Sequence, residues 1–163
     1  MSQSVENVWP NKIEYSISTA SKAVIFGTSL RVDFRLVPLL KGLRIGAIST
    51  QLIETHDLTL NPEATDTQRA SNKFTRVIMS DNYEMDEDTE PEILNEESEG
   101  YEFSRVLDLP KTLNKCLQDA DTCGIKIKHK LKFRVQLHNP DAHISEVTSS
   151  PNLYLNPLNG ING

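Results

Sequence analysis

A chain of 163 residues with 37% hydrophobic content can bury one modest core, which predicts a single domain and disfavours a compact α/β enzyme. No 18 consecutive residues are apolar, and the first residues lack the basic-then-apolar order of a signal peptide, so we expect a cytosolic protein. The formal net charge of −6 is unevenly spread. Residues 81–102 hold 11 of the 23 acidic residues and no Lys or Arg, whereas the rest holds 12 acidic and 17 basic residues, a net charge of +5.

Alternating apolar and polar side chains predict two amphipathic strands in the first part of the chain, at residues 13–18 and 30–36. Gly27 lies between them, and Pro38 ends the second because proline cannot donate to a sheet ladder. Residues 44–57 have apolar side chains at both parities, which predicts a strand that is crowded on both sides or bulged.

The second part of the chain continues the β pattern around the acidic segment. Residues 74–80 and 103–109 are short and rich in strand-forming residues, so residues 81–102 are predicted to be a disordered acidic loop between two strands. An alternative is that this loop folds over a basic surface of the same chain. Only Lys111–Asp119 has the three-to-four spacing of a short helix.

Residues 125–137 form the most regular pattern, an almost unbroken alternation of apolar and polar side chains. One face carries Ile125, Ile127, Leu131, Phe133, Val135 and Leu137 with His129 among them, and it is predicted to face the core. The other face carries five cations, Lys126, Lys128, Lys130, Lys132 and Arg134, which we call the basic row; their Cα atoms span about 26 Å. The row is either the solvated face of an antiparallel sheet or a surface that binds an acidic partner.

Six or seven strands with Pro and Gly at the breaks predict an all-β protein, an antiparallel immunoglobulin-like β-sandwich with one short helix and the acidic loop. Catalytic motifs are not found: the sequence has no G-x-S-x-G, Walker loop or G-x-G-x-x-G. Its four histidines lack metal-ligand spacing, and Cys116 and Cys123 are expected to be reduced thiols. We therefore expect no enzyme activity, no metal and no cofactor. Nucleic acid is disfavoured because the basic face offers no aromatic ring for stacking.

Three segments resemble a known family. Residues 5–19 (VENVWPNKIEYSIST), 40–58 (LKGLRIGAISTQLIETHDL) and 116–146 (CLQDADTCGIKIKHKLKFRVQLHNPDAHISE) are similar, in this order, to the C-terminal arrestin domain of fungal α-arrestins, and within them to the CreD-like group of carbon catabolite repression. The resemblance implies an arrestin C-terminal β-sandwich at 11–155, a remnant of an interdomain linker at 1–10 and a tail at 156–163. Met1 lies where the family joins its two sandwiches, so an isolated C-terminal half or a truncated product is expected. After Glu146 a strand of the family pattern is expected to be missing or replaced.

The resemblance also implies a function. Proteins of this family are adaptors that recognise plasma-membrane transporters and recruit a HECT-type ubiquitin ligase, which leads to endocytosis. The ligase is engaged through PPxY motifs, and this chain has no Pro-Pro pair, so that contact is expected outside these residues. The expected location is the cytoplasm, peripheral at the plasma membrane or endosomes.

The basic row is our candidate for binding acidic segments of transporter cytoplasmic tails, with an anionic membrane surface as a second partner. This assignment rests on charge and not on a family motif. The alternatives are a peripheral lipid-binding β-sandwich that uses the same cations on anionic phospholipids and an interaction domain that only packs against a partner sandwich. A hydrolytic enzyme would need an acid, base or nucleophile cluster that the sequence does not offer.

Overall fold

The computed structural model describes residues 3–21, 23–25, 27–60, 70–86, 88–95, 98–111, 119–122 and 124–156. Within these ranges the regular structure is all β, with no helix. The strands are β1 (Gln3–Trp9), β2 (Ile13–Thr19), β3 (Ala23–Ile25), β4 (Ser29–Pro38), β5 (Arg44–Leu60), β6 (Ala70–Glu84), β7 (Glu92–Asn95), β8 (Ser98–Asp108), β9 (Ala120–Thr122), β10 (Ile125–His138), β11 (Ile144–Ser149) and β12 (Asn152–Asn156). The predicted all-β sandwich is confirmed.

Two sheets build the sandwich. The small sheet has the order β1-β2-β4-β8-β7, and the large sheet has the order β3-β12-β10-β5-β6 with β9 and β11 also paired to β10. All pairs are antiparallel except β3 with β12, which is parallel. β10 is the centre of the large sheet, with β5 along one side and β9, β12 and β11 in succession along the other.

The core lies between the inner faces of the two sheets, where alternation along each strand places one apolar side chain in every two residues. Phe34 on β4 stacks on Phe103 of β8, with ring centroids 5.0 Å apart. The same ring meets Phe133 of β10 edge-on across the sandwich, at 5.8 Å. Burying an aromatic side chain of this kind contributes about 1.5–3 kcal/mol, so this trio is a main inter-sheet contact.

Both ends of the described chain form strands. Residues 3–9, within the expected linker remnant, form β1 and pair along their whole length with β2. Around and after Glu146, where a strand was expected to be missing or replaced, the chain forms β11 to Ser149 and then the short β12. Their side chains complete the core, since Leu153 is 1% and Leu155 0% exposed. The segment predicted to be helical, Lys111–Asp119, lies mostly outside the described residues.

The acidic segment 81–102 is also mainly strand, and the predicted disordered loop is wrong for most of it. Its first residues extend β6 to Glu84, its last residues begin β8, and β7 pairs with β8. Most carboxylates of this segment are exposed, so water weakens the repulsion between them. Backbone hydrogen bonds to the neighbouring strands can then hold the segment in the sheets. Within the described residues, this segment lies in β6 at the edge of the large sheet and in β7 and β8 of the small sheet, so it does not cover the basic row.

An ion pair between β6 of the large sheet and β8 of the small sheet joins the two sheets. Arg105 of β8 donates from Nε to Asp81 Oδ2 at 2.8 Å and from Nη2 to Oδ1 at 2.9 Å. The guanidinium also lies over the Tyr83 ring, 4.8 Å from its centroid. The hydrogen bonds from Arg105, with its charge as a smaller effect, hold the pKa of Asp81 below its usual 3.8 against the opposing effect of burial. A bidentate pair of this geometry fixes the separation of β6 and β8.

Replacing Asp81 by Asn should therefore lower the free energy of unfolding by about 1 kcal/mol at neutral pH. The pKa of Asp81 is lower in the folded than in the unfolded chain, so its contribution is complete above pH 3.8 and is lost as the pH falls through the folded value. Urea unfolding of both proteins at neutral pH and at about pH 3 should show that the difference shrinks in acid.

Glu102→Gln is the matched control, because Glu102 on β8 also pairs with an arginine, but its side chain is 55% exposed and its Oε1 lies 3.5 Å from Arg35 Nε, a looser contact. It should cost less than about 0.5 kcal/mol. Equal losses for the two variants would contradict a structural role for the inter-sheet pair.

Candidate partner-binding face

The basic row lies on the outer face of the large sheet, on its central strand. From His129 to Leu137 the inward residues are buried and the cations between them are exposed or half-buried, which confirms the predicted division of this strand into two faces. The beginning of β10 differs from the prediction: Ile125 is 43% exposed and Ile127 is half-buried. Leu58, the register partner of Ile125, is also exposed, so this end of the strand pair projects past the core.

The two ends of the basic row are partly neutralised by neighbouring carboxylates. Lys126 Nζ lies 4.0 Å from Asp121 Oδ2, and Arg134 Nε lies 3.0 Å from Glu146 Oε1. All four side chains are 45% or more exposed, so these pairs are weak.

The middle of the row has uncharged neighbours on the adjacent strands. The register partners of Lys128, Lys130 and Lys132 on β5 are Thr55, Ile53 and Gln51, and Asn152 of β12 lies on the other side of Lys130. Ile53 is 7% exposed although it faces outward, as expected of an apolar residue flanked by lysine stems. The strongest positive potential on this face is thus expected over the middle three lysines.

Beneath the basic row, the inner face of the large sheet contains a buried polar chain that the sequence did not reveal. His129 Nε2 lies 3.0 Å from Glu54 Oε2, and both side chains are 0% exposed. The other ring nitrogen, Nδ1, is in contact with Asp119 Oδ1. Asp119 also binds β12, because its carboxylate accepts a hydrogen bond from Leu155 N at 3.1 Å and its own N–H donates to Leu155 O at 3.0 Å.

The chain extends to the edge strand β6 on the other side of Glu54. Arg76 donates to Glu54 Oε1 from Nε at 2.9 Å and from Nη2 at 2.8 Å, and His56 Nε2 contacts the same oxygen. The network therefore links β6, β5, β10 and β12 in one continuous path. Burial of the imidazole and of Glu54 is tolerated because each charged or polar atom has a partner.

No chemistry is expected from this network. The His129 ring is fully buried and both of its nitrogens face carboxylates, those of Glu54 and Asp119. Among the described residues, no group of three or more His, Cys, Asp or Glu could hold a metal ion. Within the same ranges, no helix is long and apolar enough to cross a membrane.

Comparison with family models decides what kind of sandwich this is. Residues 9–155 match the model described as Arrestin (or S-antigen), C-terminal domain. The chain belongs to the arrestin C-terminal domain family. The match begins at the last residue of β1 and ends within β12, so the basic row and the buried network both lie inside this arrestin C-terminal domain.

Curated relatives agree with the family. The chain is 66% identical to the probable HECT-type ubiquitin ligase-interacting protein creD of Aspergillus clavatus, over 97% of this chain and 28% of that protein. It is 63% identical to the HECT-type ubiquitin ligase-interacting protein creD of Emericella nidulans, with the same coverage of 97% and 28%. This arrestin C-terminal domain thus spans a little over a quarter of the length of the curated relatives it matches.

Among solved structures, the sporulation control protein Spo0M of Bacillus subtilis matches over 88% of this chain and 49% of its own. The sequence identity is 12% and the TM-score is 0.44, a likeness too weak to bear on function.

The buried network predicts a strongly non-additive mutant cycle. Glu54→Leu or His129→Leu alone should each destabilise the domain by about 3–5 kcal/mol, because each leaves a buried polar partner behind. The double variant should cost clearly less than the sum of the two, as measured by urea unfolding.

Thr50→Val serves as the matched control on the same inner face of β5. The Thr50 hydroxyl oxygen is buried and has no hydrogen-bond partner within the described part of the chain. Its replacement by a methyl group should be neutral or slightly stabilising. Additive losses in the cycle would show that Glu54 and His129 act independently.

Proposed function

We propose that this arrestin C-terminal domain is a non-enzymatic adaptor module that binds acidic segments of plasma-membrane transporter tails through the basic row. In this proposal it serves ubiquitin-ligase-dependent endocytosis and the regulation of nutrient uptake, including carbon sources, from a cytoplasmic position at the plasma membrane or endosomes. The observation that carries the proposal is the cationic middle of β10, where Lys128 is exposed, Lys130 and Lys132 are half-buried, and none of the three has an ion pair within the described residues.

The spacing of the row supports an extended acidic peptide as its ligand. Alternate residues of a strand are about 6.6 Å apart, and an extended peptide repeats its own side chains at nearly the same distance. Acidic residues at every second position of a bound segment would therefore meet successive lysines. The central position of β10 supports this contact because its neighbours β5, β11 and β12 hold the strand in fixed register.

The proposed partner of the whole adaptor is a HECT-type ubiquitin ligase, because the relatives' names describe them as interacting with such ligases. Those proteins are longer than this chain, and the ligase contact is assigned to no residue here. The absence of an acid, base or nucleophile arrangement in the described site supports a binding module and not an enzyme.

Reversal of Lys128, Lys130 and Lys132 to Glu should weaken binding of an acidic transporter-tail peptide at least about tenfold, since three favourable charge contacts become repulsive. Fluorescence anisotropy at low salt and at 0.3 M salt measures this, because screening should weaken binding by the wild-type domain as well. A scrambled acidic peptide tests sequence dependence, and anionic vesicles without peptide test whether lipid alone is the ligand.

The control variant reverses Arg31, Lys41 and Lys111 to Glu, which changes the net charge equally on other exposed parts of the chain. It should retain most of the binding. If both triple variants lose binding equally, the effect is one of net charge and the basic row is not a site. Binding to vesicles but to no peptide would replace the adaptor proposal with the lipid-binding alternative.

Single substitutions within the row should differ in a defined order. Lys130→Gln should weaken peptide binding more than Lys126→Gln, because Lys126 is already near Asp121 and opposite Asp57, whereas Lys130 has uncharged neighbours. Both residues lie on the same strand face, so each is the other's control. Equal losses would argue that the ion pair at the end of the row has no influence on binding.

A further inference from the structure

A cleft of about 600 Å³ opens at one end of the sandwich, and the proposed adaptor contact does not use it. On one side it is lined by Pro38 of β4 and Tyr101 of β8, and on the other by the beginning of β5 at Arg44–Ala47. Described residues of the connections after β4 and after β6 complete its walls: Leu40, Gly42, Leu43, Met85, Asp86, Thr89, Glu90 and Pro91. We call this the end cleft. Its volume lies within the range of pockets that hold a compact ligand.

The rim of the end cleft is acidic. Glu84, Asp86, Glu90 and Glu99 line it, against a single arginine, Arg44, and His138. The acidic charge acts on the interior of the cleft as well: burial raises the pKa of the Tyr101 hydroxyl, and the carboxylate of Glu90 raises it further. An anionic ligand would be repelled, and a cationic one attracted.

The walls between these charges are apolar. Leu40 and Met85 are half-buried and face the cleft while they pack against the core, and Leu43 and Ile45 are almost wholly buried. A small amine or a simple cation would satisfy the rim and leave these walls in contact with water. The described residues also form no group of carboxylates and histidines that could hold a metal ion.

An irregularity in β5 shapes the floor. The register between β5 and β10 shifts at Gly46 and Ala47, opposite Gln136, whose side-chain oxygen accepts a hydrogen bond from Ala47 N at 3.4 Å. A Cβ atom at Gly46 would lie 2.4 Å from His138 Nε2, so only glycine lets the imidazole lie over the strand here. Bulges of this kind commonly redirect side chains at binding sites.

We propose that the end cleft binds a short extended peptide segment that carries Lys or Arg next to aliphatic residues. The cationic groups pair with the acidic rim, and the aliphatic side chains cover Leu40 and Met85. The ligand is opposite in charge to that proposed for the basic row, so the two sites select different segments. This inference does not depend on the proposed adaptor function.

The test uses the whole chain and the labelled peptide acetyl-LKVRL-amide, with acetyl-LEVEL-amide and spermidine for comparison. The triple variant Glu84→Gln, Glu90→Gln and Glu99→Gln changes only exposed rim residues, so folding should be preserved. It should weaken binding of the cationic peptide at least about tenfold in anisotropy titrations. The control triple variant, Glu6→Gln, Glu14→Gln and Glu102→Gln, removes the same charge elsewhere and should stay within about twofold.

Methyl NMR of the methionines gives a readout of location. The chain has three methionines, and Met85 lines the end cleft whereas Met79 does not. The cationic peptide should shift the Met85 methyl resonance and leave that of Met79 in place.

Three results would overturn the proposal: no binding by the folded wild-type chain, equal binding of spermidine or the acidic peptide, or equal losses in both triple variants. The basic-row variant Lys128→Glu, Lys130→Glu and Lys132→Glu should still bind the cationic peptide, which separates this site from the adaptor face. Loss of that binding would also count against the end cleft.

Discussion

The polar chain from Arg76 through Glu54 and His129 to Asp119 is the constraint on which the large sheet depends. It crosses β6, β5 and β10 and reaches β12 through Leu155, so it links strands that come from distant parts of the sequence. Burying such a polar chain costs free energy even when every group has its partner. The cost is larger when one partner is missing, because a buried charge is then left unpaired. Register errors in any of these strands are therefore strongly disfavoured.

Because this register is fixed, the cations of β10 all lie on its outer face, where the proposed peptide would bind. Lysines on a loop would lose side-chain and backbone freedom on binding, whereas lysines on the central strand of a sheet have already lost the backbone part. The end cleft, which Gln136 and His138 line just beyond the last cation of the row, has the reverse charge. The domain thus has a basic strand and an acidic cleft on different parts of its surface. Its net charge of −6 does not indicate the charge of either part.

Much of the architecture could be predicted from local patterns, and the exceptions have physical reasons. Long amphipathic strands such as β4 and β10 follow from alternation, and the outward direction of Lys128 and Lys130 follows with them. β7, β9 and β12 have three to five residues, and their pairing depends on partners far away in sequence. The acidic composition of residues 81–102 predicted disorder, but pairing of β7 with β8 overrides it. The position of His129 in the core could be predicted from alternation along β10. Its partners Glu54 and Asp119 are distant in sequence and meet it only in the tertiary fold, so the buried network could not be predicted. The end cleft could not be predicted for the same reason, because separate segments of the chain line it.

The three short strands along one side of β10 affect the order in which the domain can assemble. β5 precedes β10 by a long stretch of chain and can pair with it as it emerges, whereas β11 and β12 follow β10, so most of its other side is filled last. A chain emerging from the ribosome would expose the unpaired side of β10 until residues 144–156 had been synthesised. Folds with so many non-local pairings close slowly and pass through states with open strand edges. Charged side chains on an open strand hinder association with other chains, so we expect the lysines of the basic row to limit aggregation of the nascent chain.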